Sequence, residues 1–144
     1  MKGIKLFHLI FFSSVFLRVH AIDPPQAITA AFAARYSAAA QVNWEKATGM
    51  YLAAFTLNGK SMKAAFKNDG TFLREEMLIA FGQLPEAVRK DAAQRFNESK
   101  ITEAAKFIDA AGMTGYRIRY SNGNTRVDVM YNDQNKIFQR AIVE

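Results

Sequence analysis

Tyr51-Leu52-Ala53-Ala54-Phe55-Thr56-Leu57-Asn58-Gly59-Lys60-Ser61-Met62-Lys63-Ala64-Ala65-Phe66 is the stretch whose reading decides the fold. Tyr51, Ala53, Phe55 and Leu57 alternate with Leu52, Ala54 and Thr56, the period of a strand with one covered face. Asn58-Gly59 then supplies a two-residue hairpin turn, because both of its central positions must accept positive φ. Counting back from that turn sets Leu57 opposite Lys60, Phe55 opposite Met62, Ala53 opposite Ala64 and Tyr51 opposite Phe66. Most members of these pairs are apolar and share a face, so turn chemistry and hydrophobic pattern agree.

Outward from this hairpin, Val42 to Thr48 reads as a preceding strand, and Asn68-Asp69-Gly70 turns the chain into another over Thr71 to Ile79. The pattern then recurs. Asn122-Gly123 is expected to pair Tyr120 with Thr125, Ile118 with Val127 and Tyr116 with Val129, and Asp133-Gln134-Asn135 precedes a last strand over Lys136 to Val143. Asn135 can stand where Gly70 stands, since Asn tolerates the left-handed conformation. Ahead of each set lies an amphipathic helix: Pro25-Gln26-Ala27-Ile28 with Arg35-Tyr36 returns as Pro85-Glu86-Ala87-Val88 with Arg95-Phe96. Ile28, Ala31, Phe32 and Tyr36 fall on one helical face, as do Val88, Ala92 and Phe96. Asp23 is expected to cap the first helix, with Pro24, Pro25 and Pro85 accepted in first turns. The offset between copies grows from 60 at the helices to 65 at Tyr51 and Tyr116, which places a longer hairpin loop over Ala110 to Gly115. Thr102 to Asp109 suits a helix on propensity, but its counterpart is a strand.

The expected fold is therefore α+β, two tandem repeats of one helix and a three- to four-stranded antiparallel sheet, with the helices on one sheet face. Expected boundaries are 1–21 for a leader, 22–81 for the first repeat and 82–144 for the second. Whether the two repeats share one sheet is left open by the turns.

Met1 to Ala21 has the form of a secretory signal peptide: Lys2 and Lys5 precede an apolar stretch from Leu6 to Leu17, and Val19-His20-Ala21 suits cleavage after Ala21. The stretch is shorter than the roughly 20 residues a bilayer span needs. Periplasmic or secreted localisation is expected, without a stable membrane span after cleavage. Removing the leader takes away Lys2, Lys5 and Arg18, leaving 16 basic against 13 acidic residues, so the formal charge falls from +6 to +3. That surplus, spread over both halves, argues against nucleic acid as a partner. The chain has no cysteine, and both histidines, His8 and His20, lie in the leader. Zinc sites of the Cys and His types, Cys-His or Ser-His-Asp nucleophiles and an imidazole base are thereby excluded from the mature chain. No cofactor or metal is implied, and Asn68-Asp69-Gly70 lacks the ligand series of a calcium loop.

The chain resembles the bacterial PepSY-like family, also described as β-lactamase-inhibitor-like. The resemblance rests on Val42-Asn43-Trp44-Glu45, Tyr51-x-Ala53-x-Phe55, Asn58-Gly59, Phe66-x-x-Asp69-Gly70 and Leu84-Pro85-x-Ala87-Val88, and spans about Pro24 to Val143. It implies an exported, non-enzymatic binding module, inhibitor-like, that grips a protein partner in the cell envelope, such as a peptidase or hydrolase, with the helix-free face of its sheet. An anionic ligand is the other partner class expected. Alternatives are an envelope enzyme using carboxylates and a structural assembly protein.

Candidate binding residues follow from the strand register. Arg119 is expected opposite Arg126, a like-charge pair that costs stability unless an anionic partner relieves it. Arg117 faces Asp128 in the same scheme, and Lys63 and Lys67 project from the corresponding face of the first copy. Trp44, the sole tryptophan, is either an interface anchor or a packing residue between helix and sheet. Glu75 and Glu76 point to opposite faces and read as solvating edge residues, so no catalytic residue is assigned.

Overall fold

The structure, a computed structural model, describes residues 22–97 and 100–143. The expected leader and its cleavage site lie outside these residues. Elements follow in the order α1 (Gln26–Arg35), β1 (Ala40–Ala47), β2 (Met50–Leu57), β3 (Lys60–Lys67), β4 (Phe72–Ile79), a short 3₁₀ turn (Phe81–Gln83), α2 (Glu86–Arg95), β5 (Ile101–Asp109), β6 (Thr114–Asn122), β7 (Thr125–Asn132) and β8 (Ile137–Val143). All eight strands form one antiparallel sheet in sequence order. This corrects the expected architecture of two small helix-plus-sheet repeats. The joint lies between β4 and β5, where Arg74↔Asp109 through Ile79↔Ala104 pair directly. A strand at a sheet edge exposes unpaired N–H and C=O groups, and joining β4 to β5 removes two such edges.

Both helices lie on one face of this sheet. Ile28, Phe32 and Tyr36 are buried against Tyr51, Ala53, Phe55, Ala64 and Phe66. Val88, Ala92 and Phe96 are buried against Ala104, Ile118, Val129 and Tyr131. Ile79, paired with Ala104, continues that face across the joint. Two tyrosine hydroxyls tie helix to sheet: Tyr36 donates to Glu75 on β4 at 2.6 Å, and Tyr131 on β7 donates to Asp91 of α2 at 2.9 Å. Burial and then the acceptor carboxylate raise both phenol pKa values well above the ordinary range.

The helices start later than expected. Pro25 and Pro85 are themselves the N-cap residues, and neither helix has a side-chain cap. A proline pushes the residue before it into extended backbone, so Pro25 keeps Pro24 out of the helix, and Pro24 does the same to Asp23. The Pro25 carbonyl instead accepts from the amides of Ile28 and Thr29, at 2.9 and 3.2 Å.

Register around the first hairpin is as read from the sequence, including Phe55↔Met62 and Tyr51↔Phe66, and Asn58 and Gly59 both have positive φ. The second hairpin differs by two residues. Asn122 pairs with Thr125, so Gly123-Asn124 is the turn and Ile118 faces Val129. Asn122-Gly123-Asn124 contains two competing turn frames, and Gly123, with φ 63°, takes the first central position of a Gly-Asn turn. The chosen frame buries Ile118 and Val129 together beneath α2. Gly70 and Asn135 both sit at positive φ before their strands, as expected. Gly70 meets a second demand, because a Cβ there would lie 2.8 Å from the Ala27 carbonyl oxygen of α1. The longer loop between β5 and β6 closes with Asp109 accepting from the amides of Ala111 and Met113, each at 2.9 Å.

Candidate functional site

Side chains alternate across a strand, so the residues between the core positions line the opposite, helix-free face. Its register rows run Asn43–Ala54–Lys63–Glu76–Phe107, then Leu78–Ala105–Arg117–Met130, then Glu103–Arg119–Asp128. Small residues (Ala54, Ala65 and Ala105) floor this surface and leave room for long charged chains to lie flat. The result is a trough of about 650 Å³ whose lining includes Lys63, Arg74, Glu76, Glu103, Arg117 and Arg119.

Arg117 is the centre of the trough. Its side chain is 1 % exposed. Nε and Nη2 donate to Glu76 Oε2 at 2.8 and 2.6 Å, Nη2 also donates to Glu103, and Nη1 reaches Asp128 at 3.4 Å. Arg119 grips Asp128 with both oxygens engaged, at 2.7 and 2.9 Å. Lys63 donates to the other oxygen of Glu103 at 2.7 Å. Arg74 Nε lies 3.0 Å from Glu76 Oε1, close enough for an ion pair but too poorly aligned for a hydrogen bond. Burial alone would lower the Arg117 pKa, yet Glu76, Asp128 and Glu103 outweigh it and hold the guanidinium above its ordinary range. For Arg119 the Asp128 hydrogen bond dominates and raises the pKa. Burial pushes Glu103 up, but Lys63 and Arg117 prevail and keep it below the ordinary carboxylate range.

The candidate residues are thus distributed differently from expectation. Arg119 stands opposite Asp128, not Arg126, and Arg117 stands opposite Met130, reaching Asp128 diagonally. The two-residue register change leaves every side chain on its expected face but replaces a repulsive pair with an attractive one. Glu76 is buried on a central strand and ligates Arg117, so it is not an edge residue. Glu103, unmarked in sequence because its strand had to be inferred from a counterpart, joins Lys63 of the first half to Arg117 of the second. Arg126 is exposed at the trough's rim and makes no ion pair among the described residues. Lys67 is exposed at the end of β3, outside the trough lining. Trp44 pairs with Ala53 and therefore lies on the helix face, its ring 5.2 Å from Phe32 and edge-on to it. There it is partly buried and packs against the core beneath α1.

Among the described residues no group of histidines, cysteines or carboxylates is arranged to hold a metal ion. Nor is any helix there long and apolar enough to cross a membrane. Glu76, Glu103 and Asp128 form the acid cluster that a carboxylate-dependent enzyme would need. Their oxygens are already given to cations, and Glu103 is held ionised, the opposite of a general acid at neutral pH.

The sequence matches no protein-family model and no curated protein. Solved structures share the fold. One is a BLIP-like protein from Bacteroides fragilis, at 20 % identity and TM-score 0.61 over 85 % of this chain and 88 % of that one. A DUF2874 family protein from Bacteroides uniformis shares 18 % identity at TM-score 0.64, over 84 % and 91 %. A protein of Bacteroides eggerthii, proposed to be periplasmic, shares 17 % identity at TM-score 0.66, over 84 % and 90 %. The chain has the fold of these Bacteroides proteins.

Proposed function

We propose that this chain is an exported, non-enzymatic binding module that engages a protein partner in the cell envelope through the helix-free face of its sheet. One observation carries the reading: both helices cover the same face, and the other is a charged trough, open at Ala54, on strands tied together by buried ion pairs. A rigid, preorganised surface loses little freedom on binding. The absence of histidine and cysteine after residue 20 and the occupied carboxylates support a role in binding over catalysis. The leader-like Met1 to Ala21 and the structural neighbour proposed to be periplasmic support placement outside the cytoplasm. The resemblance to the PepSY-like family read from the sequence, and the fold shared with the BLIP-like neighbour, favour an inhibitor-like version, with a peptidase or hydrolase as the partner.

The test is capture from native envelope extract with identification of the retained protein. Ala54→Trp, which fills the exposed floor of the trough, should abolish that capture. Unchanged capture by this variant refutes use of this face. Titration of the purified protein into peptidase and β-lactamase assays tests the inhibitor-like version, and no inhibition at micromolar concentration removes it.

A further inference from the structure

Hydrogen-bonding capacity in the trough is lopsided. An ionised carboxylate only accepts, whereas lysine carries three donors and arginine five. Around Arg117 each carboxylate oxygen already faces a cation: Glu76 has Arg117 and Arg74, Glu103 has Arg117 and Lys63, and Asp128 has Arg117 and Arg119. Of these six oxygens only Glu76 Oε1 accepts no hydrogen bond, with Arg74 at 3.0 Å from it, while cationic donors remain. Arg119 Nη1 is 3.8 Å from Glu103, beyond hydrogen-bond reach, and the Arg126 guanidinium has no ion pair among the described residues. Arg119 pairs with Asp128 and Ser121 with Arg126, so Arg119 and Arg126 are diagonal neighbours on adjacent strands. Such neighbours lie about 7–8 Å apart at Cα, within reach of one another for long side chains. The other carboxylate in the lining, Glu45, stands on edge strand β1, with Leu52 and Ala65 between it and Arg74 in the same register row.

We propose that the Arg119–Arg126 corner receives a side-chain carboxylate from an acidic segment of the partner protein, a proposal that rests on the helix-free face being the binding face. The Arg126 fork suits a planar, bidentate acceptor, and Arg119 Nη1, left over from the grip on Asp128, adds a donor beside it. A free inorganic anion would use the corner alone. A peptide segment also covers the uncharged surface alongside it, Leu52, Ala54 and the partly exposed Ile22, and fills a trough of about 650 Å³ far larger than one anion.

The experiment follows the arginine Nε–Hε NMR signals of the purified protein as it is titrated with an N-acetylated, C-amidated peptide alternating Glu with Ala. A Gln–Ala peptide and sodium sulfate serve as comparison arms. Saturable shifts of Arg119 and Arg126 with the Glu peptide alone support the proposal, as does at least a tenfold weakening in Arg126→Gln with partial recovery in Arg126→Lys. Arg126 holds no ion pair among the described residues, so its variants retain the fold. Equal binding of the Gln peptide, unchanged affinity in Arg126→Gln, or sulfate reproducing the shifts at the same concentration each overturns it. Partner capture separates the two levels: loss in Ala54→Trp with full retention in Arg126→Gln overturns the carboxylate corner alone. Retention in both overturns the binding face as well.

Discussion

Arg117→Met is the perturbation that tests the trough most directly. The methionine has comparable length but removes the guanidinium, and the consequences for the three carboxylates are unequal. Asp128 keeps both hydrogen bonds from Arg119, and Glu103 keeps Lys63. Glu76 loses both donors on Oε2 and retains only the misaligned Arg74 at 3.0 Å, while its side chain is 5 % exposed. Breaking a buried ion pair by removing one partner costs about 3–5 kcal/mol. The surviving Arg74 contact places this case near the lower end, at about 3 kcal/mol. Urea unfolding should therefore show a lower midpoint with unchanged slope, since the surface exposed on unfolding is nearly the same. The melting temperature should fall by roughly 10–15 °C for a domain of this size. The double variant Arg117→Met with Glu76→Leu replaces the stranded charge by apolar volume and should recover most of the loss, because buried pairs exchanged for hydrophobic residues are often neutral. A single-variant loss below about 1 kcal/mol, or a double variant no more stable than the single one, would refute the reasoning.

Three further expectations are independent of that network. Gly70→Ala should destabilise by more than the ~1 kcal/mol of an ordinary positive-φ glycine replacement, because its Cβ would also press on the Ala27 carbonyl; Gly59→Ala, with open space around it, is the control, and equal urea midpoints would contradict the close approach. Trp44→Phe should alter stability and the intrinsic fluorescence of folding but leave partner capture intact, since the indole lies on the helix face against Phe32; lost capture would restore it as an interface residue. The Glu103 pKa is depressed in the folded state, so its stabilisation is fully present above the unfolded value near 4.5 and is lost as pH falls below it. Urea midpoints across pH 3 to 7 should converge for the native chain and Glu103→Gln only at the acid end, and a constant difference would deny Glu103 that role.

Local signals in this sequence were sufficient for local structure. Asn58-Gly59 admits one hairpin frame, and alternation from Tyr51 to Phe66 assigns each side chain a face, so the register there is legible in the sequence. The buried stripes of Ile28, Phe32, Val88 and Phe96 were legible for the same reason, since helical period and apolar content are read along one element. Where two frames competed, at Asn122-Gly123-Asn124, local chemistry could not choose, and the packing of Ile118 and Val129 under α2 decided. Because the choice was between frames two residues apart, faces survived while opposing partners changed.

What lay beyond the sequence is whatever joins distant elements. No turn encodes the pairing of β4 with β5, because a helix and a 3₁₀ turn intervene and strand period reports a face, not a neighbour. The partners of Arg117 are 41, 14 and 11 residues away, and they are brought together only by the single sheet. The residue types of the trough were visible in the chain, but whether a charge is satisfied or offered to a partner depends on which opposite charge shares its burial. That is a property of tertiary structure, and here it commits Arg117 to the interior and leaves Arg126 facing solvent.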